Sequence, residues 1–251
     1  MVLLLIVIAA GIGSVAYFQA ASALQQQVQT NIPMTADYGA DIVRGVLDKH
    51  LKTVELMAEH PALKSMNWDR QRAELKNQTK QGGFMGMGII FPDGTARYPD
   101  GGTAKLGDRS YAQLAFQGQV NISNVIISRA TNSPVMMVAA PIYDQNRKLA
   151  AVLIARLDAT WLSEVTDGIG YGDKGYSYII DGTGTLIAHN NRDFVLNQAN
   201  FIEEAKTEPK FASLAAMFQR MTQGETGFDE YPFMGSDRFF GYAPIPETSW
   251  S

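Results

Sequence analysis

The stretch from Leu106 to Asp158, LGDRSYAQLAFQGQVNISNVIISRATNSPVMMVAAPIYDQNRKLAAVLIARLD, decides how the rest of this chain is read. Tyr111, Leu114, Ala115 and Gly118 recur at helical spacing, which predicts a short helix over Ser110 to Gln117 with Gly118 as its stop. Three apolar runs rich in Val, Ile and Met follow, Asn121 to Arg129, Pro134 to Asp144 and Leu149 to Asp158. Thr131-Asn132-Ser133 and Asp144-Gln145-Asn146 separate them, and these residue types make hairpin turns, so the runs read as antiparallel strands. Alternation along the third run puts Val152, Ile154 and Arg156 on one face and Ala151, Leu153, Ala155 and Leu157 on the other. A guanidinium therefore ends an otherwise apolar row. Because an unpaired buried charge is costly, Arg156 reaches water, pairs with an internal carboxylate, or receives an anion from outside.

Toward the amino terminus, Val2 to Phe18 carry no charge, and about 20 such residues span a bilayer core as a helix. Small residues at Ala20 to Ala23 also fit a cleavable signal peptide. Such peptides open with Lys or Arg, however, and none precedes this run, so an uncleaved anchor over residues 1–18 is expected. From Gln19 to about Glu59 the one strong helix breaker is Pro33. Val43, Leu47, Leu51, Val54 and Ala58 form a stripe at three- and four-residue intervals, with most charges elsewhere. That stripe requires a surface, either a partner's or the domain's own. Pro61 ends the pattern, and Ala62 to Lys80 reads as a second, charged helix. After Gly82-Gly83, Phe84 to Phe91 reads as a strand that turns at PDG and returns over Thr95 to Tyr98. The spaced carboxylates and distal Glu of a calcium loop are missing there.

Toward the carboxyl terminus, Ala159 to Gly170 reads as a helix, and GYGDKGYSYIIDGTGTLIAH, Gly170 to His189, as two strands around a DGTG turn. The glycines lack the strand, loop, helix order and the Gly-Lys-Ser/Thr ending of a phosphate loop. Asn190 to Asn200 is a polar connector, Phe201 to Gln223 is helical, and the end alternates into two hairpin strands. With 46% hydrophobic and 18% charged residues, 251 residues suit one or two globular domains with real cores. The net charge of −4 and the lack of clustered Lys and Arg argue against a nucleic-acid partner. No cysteine is present, and His50, His60 and His189 are too scattered to predict a metal site.

The order DR-x-Y on a short helix, NISNVIIS, a TNSP turn, VMMVAAPIYD and LAAVLIARLD resembles the membrane-distal half of the double Cache sensor domain. That is the two-lobed, PAS-like extracytoplasmic module of bacterial chemoreceptors, sensor kinases and membrane-bound diguanylate cyclases. GYGDKGYSYIIDGTGTLIAH resembles the opening of its membrane-proximal lobe, and FFGYAPIPETSW its last strands. The resemblance implies an α+β fold: a long N-terminal helix, membrane anchor plus stalk, carrying two PAS-like antiparallel-sheet lobes. Residues 1–18 would be the anchor, 19–81 the stalk helix and second helix, 82–170 the ligand-binding distal lobe and 171–251 the proximal lobe. It further implies a homodimer through the stalk helix, residence in the inner or plasma membrane with the sensor outside the cytoplasm, no cofactor, and no catalysis.

The ligand follows less directly. In the amino-acid-binding subset of the family, the pattern wants Arg at Asp108, Trp at Ser110, Tyr at Tyr111, Tyr at Ile126, Asp at Ser128 and Asp at Arg156. Only Tyr111 matches, and the aspartates that would hold an ammonium group are gone. Asp108, Tyr111, Ile126, Ser128 and Arg156 are therefore the candidate ligand-binding residues for something else. Arg156 offers a permanently charged fork for a carboxylate, Ser128 and Tyr111 neutral donors, and Ile126, Val152 and Ile154 an apolar wall. A short hydroxy-, keto- or dicarboxylate is one expectation. The other is an uncharged, nucleobase-like molecule, with Asp108 or another acid neutralising Arg156. No enzyme motif competes: GYSYI lacks the second glycine of a nucleophile elbow, and HExxH is absent. A pilin-like subunit shares the hydrophobic start, but the first acid here is Asp37.

Overall fold

The computed structural model describes residues 2–172, 175–233 and 235–251, with side chains from residue 11 onward. One helix, α1 (Val2–Ala58), runs unbroken through Pro33 and carries everything that follows. The first ten residues of the expected anchor lie outside the described side chains, and among the described residues no helix is long and apolar enough to cross a membrane. The predicted stripe on α1 is buried: Val43, Leu47, Val54 and Ala58 pack into the chain's own core, with Leu51 partly buried beside them. The surface that the stripe requires is thus the molecule's own.

The second helix is broken where one was expected. A single turn, α2 (Pro61–Lys64), is followed by α3 (Trp68–Gly82), because Met66 takes a positive φ and the Asn67 side chain caps the Arg70 amide. Gly83, left-handed at φ 69, then ends α3.

A seven-stranded antiparallel sheet follows, built from β1 (Gly86–Ile90), β2 (Thr95–Arg97), β3 (Thr103–Lys105), β4 (Asn121–Ile122), β5 (Ile126–Ile127), β6 (Pro134–Tyr143) and β7 (Leu149–Asp158). Its order is β3-β2-β1-β7-β6-β4, with β5 also on β6. The single strand expected over Asn121 to Arg129 is split in two, since Asn124 and Val125 leave the sheet to meet the other lobe. The alternation read on β7 holds. Leu153, Ala155 and Leu157 join the core against α1, with Met136 and Val138 from β6. Val152 and Ile154 face the opposite side with Val135, Met137 and Ala139, under helix α4 (Ser110–Phe116).

After α5 (Trp161–Thr166), the second lobe carries two separate two-stranded antiparallel sheets, β8 (Ile179–Ile180) with β9 (Leu186–Ala188), and β10 (Gly227–Phe233) with β11 (Ser236–Tyr242). Between them the polar connector contains a turn of helix, α6 (Arg192–Leu196). The one helix expected over Phe201 to Gln223 is α7 (Phe201–Glu204), a 3-10 turn at Pro209 and α8 (Ala212–Thr222), because Pro209 prevents continuation. An aromatic core of Tyr178, Phe201, Phe218, Tyr231, Phe233 and Tyr242 fills this lobe. Gly241 of β11 presses on α1, where an added Cβ would come within 2.7 Å of the Pro33 nitrogen. The core along α1 spans both lobes, since Ile179, Ile187, Ala243 and Trp250 belong to it as well.

Candidate functional site

The side of the large sheet away from α1 is roofed by α4 and by the loop that joins β4 to β6. Where these meet, Tyr98, Leu106, Arg109, Tyr111, Ile126, Ser128, Arg129 and Met137 enclose a cavity of about 10 Å³. That is room for roughly one water. Tyr111 reaches it because α4 turns Tyr111, Ala112 and Ala115 toward the sheet, and all three are buried. Burial pushes the Tyr111 phenol up to about 12, against the opposing pull of Arg109, Arg129 and Arg156. Arg109 and Arg129 line the cavity with Tyr111, whereas Arg156, expected in the site from the sequence, is not among its lining residues.

Arg156 lies on β7 between Gly86 of β1 and Met137 of β6. The missing side chain at Gly86 leaves room for the guanidinium, whose Nη1 would be 3.8 Å from a Cβ built there. Arg156 is only 8% exposed, and its Nε is buried without a hydrogen-bond partner. Its Cζ lies 5.6 Å from the centre of the Tyr98 ring, a cation–π contact. Burial raises the Tyr98 pKa, partly offset by the nearby Arg156 charge. Among the described residues, Arg156 makes no ion pair.

The acid considered for neutralising it is engaged elsewhere. Asp108 accepts from both terminal nitrogens of Arg129, at 2.6 and 2.7 Å, and this bidentate bond holds its carboxyl below the usual range. Asp108 thus borders the site through Arg129 and does not line it. Ser128 lines the cavity, but its Oγ also accepts from the Ala130 and Thr131 amides, so it shapes the turn that presents Arg129. Ile126 supplies apolar wall, whereas Val152 and Ile154 lie beneath in the core. Arg109 donates to the Ile127 carbonyl at 2.9 Å and keeps a buried, unpartnered Nε.

Sequence reasoning missed Tyr98, Arg109 and Arg129. The two arginines adjoin Asp108 and Ser128 in the chain, so adjacency was the available signal; Tyr98 comes from a distant hairpin and had none. Among the described residues, no group of three or more His, Asp or Glu side chains is gathered as metal ligands would be.

A larger space of about 350 Å³ opens between α1, residues 175–180 and β11. Ile32, Ala36 and Val43 of α1, with Tyr178, Phe240 and Tyr242, give it apolar walls. Asp237 and Arg238 of β11 also line it, and the Arg238 Nε is buried without a partner.

The Cache domain model matches residues 20–251. Among solved structures, the ligand-binding domain of the Pseudomonas aeruginosa PAO1 amino acid chemoreceptor PctB, in complex with L-Arg, is similar at 18% identity and a TM-score of 0.67, covering 90% of this chain and 93% of that one. That of the Pseudomonas fluorescens chemoreceptor CtaA, in complex with L-isoleucine, is similar at 16% identity and a TM-score of 0.70, covering 93% of both chains. The sensory domain of the Campylobacter jejuni chemoreceptor Tlp3 with isoleucine bound gives 11% identity and a TM-score of 0.64, covering 91% and 92%. At these identities the likeness establishes a shared fold.

Proposed function

We propose that this chain, which belongs to the Cache domain family, is the extracytoplasmic ligand-binding part of a bacterial transmembrane receptor of the chemoreceptor type, and that it binds a small organic anion. In this reading residues 1–18 anchor the chain, 19–81 form the stalk and second helix, 82–170 the membrane-distal lobe and 171–251 the membrane-proximal lobe. The stalk helix carries the signal and the contact between two copies. The same module would serve a histidine kinase or a diguanylate cyclase equally well.

The observation that carries the ligand class is Arg156, nine-tenths buried with no carboxylate beside it. A buried cation left unpaired costs several kcal/mol, roughly, so an anion that pairs with it recovers interaction energy the empty protein lacks. Arg109 adds a second unpartnered guanidinium nitrogen, and Tyr111, neutral at any physiological pH, adds a donor. The similar solved domains are complexes with amino acids, but an ammonium group requires an acceptor, and Asp108, which borders this site, is occupied by Arg129. The cavity is closed around roughly one water, so the anion enters by displacing the loop of residues 123–133.

The test is thermal shift and calorimetry with hydroxy-, keto- and dicarboxylates. At least one should stabilise the wild type, with its affinity falling at least about tenfold in Arg156→Met. Equal affinity in the two proteins would remove Arg156 from the site. Stabilisation by nucleobases alone would replace the anion reading with the uncharged one.

A further inference from the structure

The loop that closes the candidate site also bonds to the other lobe, as do Ser163 and Asp167 in and after α5 through His189 and Arg192. Ser123 fixes its start: its amide donates to the Met137 carbonyl and its Oγ accepts from the Met137 amide, both at 2.9 Å, beside the cavity. The next two residues turn away. Asn124 Nδ2 donates to Asp181 Oδ2 at 2.8 Å, and Asn124 Oδ1 accepts from the Trp250 indole at 2.7 Å. The Val125 carbonyl accepts from the Gln198 side chain at 3.0 Å. The chain then returns, and Ile126, Ser128 and Arg129 line the cavity. Side chains that touch the second lobe and side chains that enclose the site are thus separated by a single residue.

The receiving end is rigid. Asp181 is a buried carboxylate whose Oδ1 accepts from the Thr183 and Thr185 amides and the Thr183 hydroxyl, which holds the β8–β9 turn. Its other oxygen takes Asn124. Trp250 stands next to Ser251, whose backbone exchanges two hydrogen bonds with Ile180 of β8. A shift of Asn124 therefore acts on β8 from both sides, and β8 packs along α1 through Ile179.

We propose that Asn124 is a positioning residue that couples the two lobes, so that occupancy of the Arg156 site is transmitted to the β8–β9 turn and Trp250. The transmitted signal rests on the anion reading above; the mechanical coupling does not. The Asn124 amide suits this position, since it donates to a carboxylate from Nδ2 and accepts from an indole at Oδ1 at once. A loop displaced by ligand either carries Asn124 with it or breaks bonds to two buried partners, so the two lobes cannot move independently.

Hydrogen exchange on the 251-residue chain tests this without a ligand. Trp250→Phe keeps the ring and removes one donor; Asn124→Ala removes both bonds. Trp250→Phe should speed exchange in 126–133 and in 181–185 by about fivefold, the factor of one hydrogen bond of ordinary net strength, Asn124→Ala by up to about 25-fold, and the double variant should add little to Asn124→Ala. Phe239→Ser, on the exposed part of β11, should leave both segments at the wild-type rate. Wild-type exchange of 126–133 in Trp250→Phe, or additive effects in the double variant, would overturn the coupling. A second arm uses succinate, which should protect both segments in the wild type and only 126–133 in Asn124→Ala. Loss of protection at 126–133 in the wild type would count against the anion reading, while the ligand-free comparison still decides the role of Asn124.

Discussion

The two lobes differ in how their most deeply buried charged groups are partnered, Asp181 in one and Arg156 in the other. In the second lobe Asp181 has a donor on each oxygen, His189 accepts from the Asn191 amide, and the Tyr178 and Tyr231 hydroxyls lie 3.4 Å apart, while Arg238 of β11 keeps a buried Nε without a partner. In the large-sheet lobe, Arg156 and Arg109 keep buried nitrogens without partners, Arg109 in the wall of the small cavity and Arg156 against Tyr98, which also lines it. Satisfied buried groups specify architecture, and an unsatisfied buried charge marks where something is to bind. Size points the other way, since the larger cavity is the apolar one beside the second lobe. Charge without a partner is the better guide to a small ionic ligand, because it changes the binding free energy by more than additional volume does.

The contrast can be broken most forcefully from the aromatic side. Phe218 is fully buried among Tyr178 and Phe201, so Phe218→Ala should destabilise the second lobe by about 4 kcal/mol in urea denaturation. A loss below about 1 kcal/mol would mean that this core is looser than its packing indicates. In the large-sheet lobe the sign should reverse. Arg156→Met exchanges an unpaired buried cation for an apolar chain and should raise stability by about 1 to 2 kcal/mol as it abolishes anion binding. If it lowered stability instead, the cation–π contact with Tyr98 would outweigh the cost of burial.

The smallest expected effect is one of pH. Burial holds His189 down to about 4 from its ordinary 6.5, so the folded protein favours the neutral ring. Its contribution is complete above about pH 6.5 and is lost as pH falls toward 4, where the unfolded chain binds the proton first. Thermal melts between pH 7 and 4.5 should therefore fall more steeply for the wild type than for His189→Gln. Parallel curves would show that the carboxylates alone set the acid limit.

Much of the fold was legible because its signals are periodic and local. The stripe on α1 and the alternation on β7 each predicted a buried face, and both faces are buried as read. Boundaries were less legible where one element serves two neighbours. The run from Asn121 to Arg129 is apolar enough for a single strand, yet Asn124 leaves the sheet because its amide has partners in the other lobe. Likewise Phe201 to Gln223 is helical in pattern, but Pro209 divides it.

The residues themselves determined that a guanidinium would end an apolar row inside the sheet lobe, since side-chain direction on a strand follows from pleat and position alone. Which acid that guanidinium would meet could not be read in the same way. Asp108 was in reach by sequence, and the path of the β5–β6 turn, which delivers Arg129 to it, left Arg156 without an ion pair among the described residues. A charge pair depends on distances of a few ångströms between segments far apart in the chain, and tertiary packing alone sets those distances.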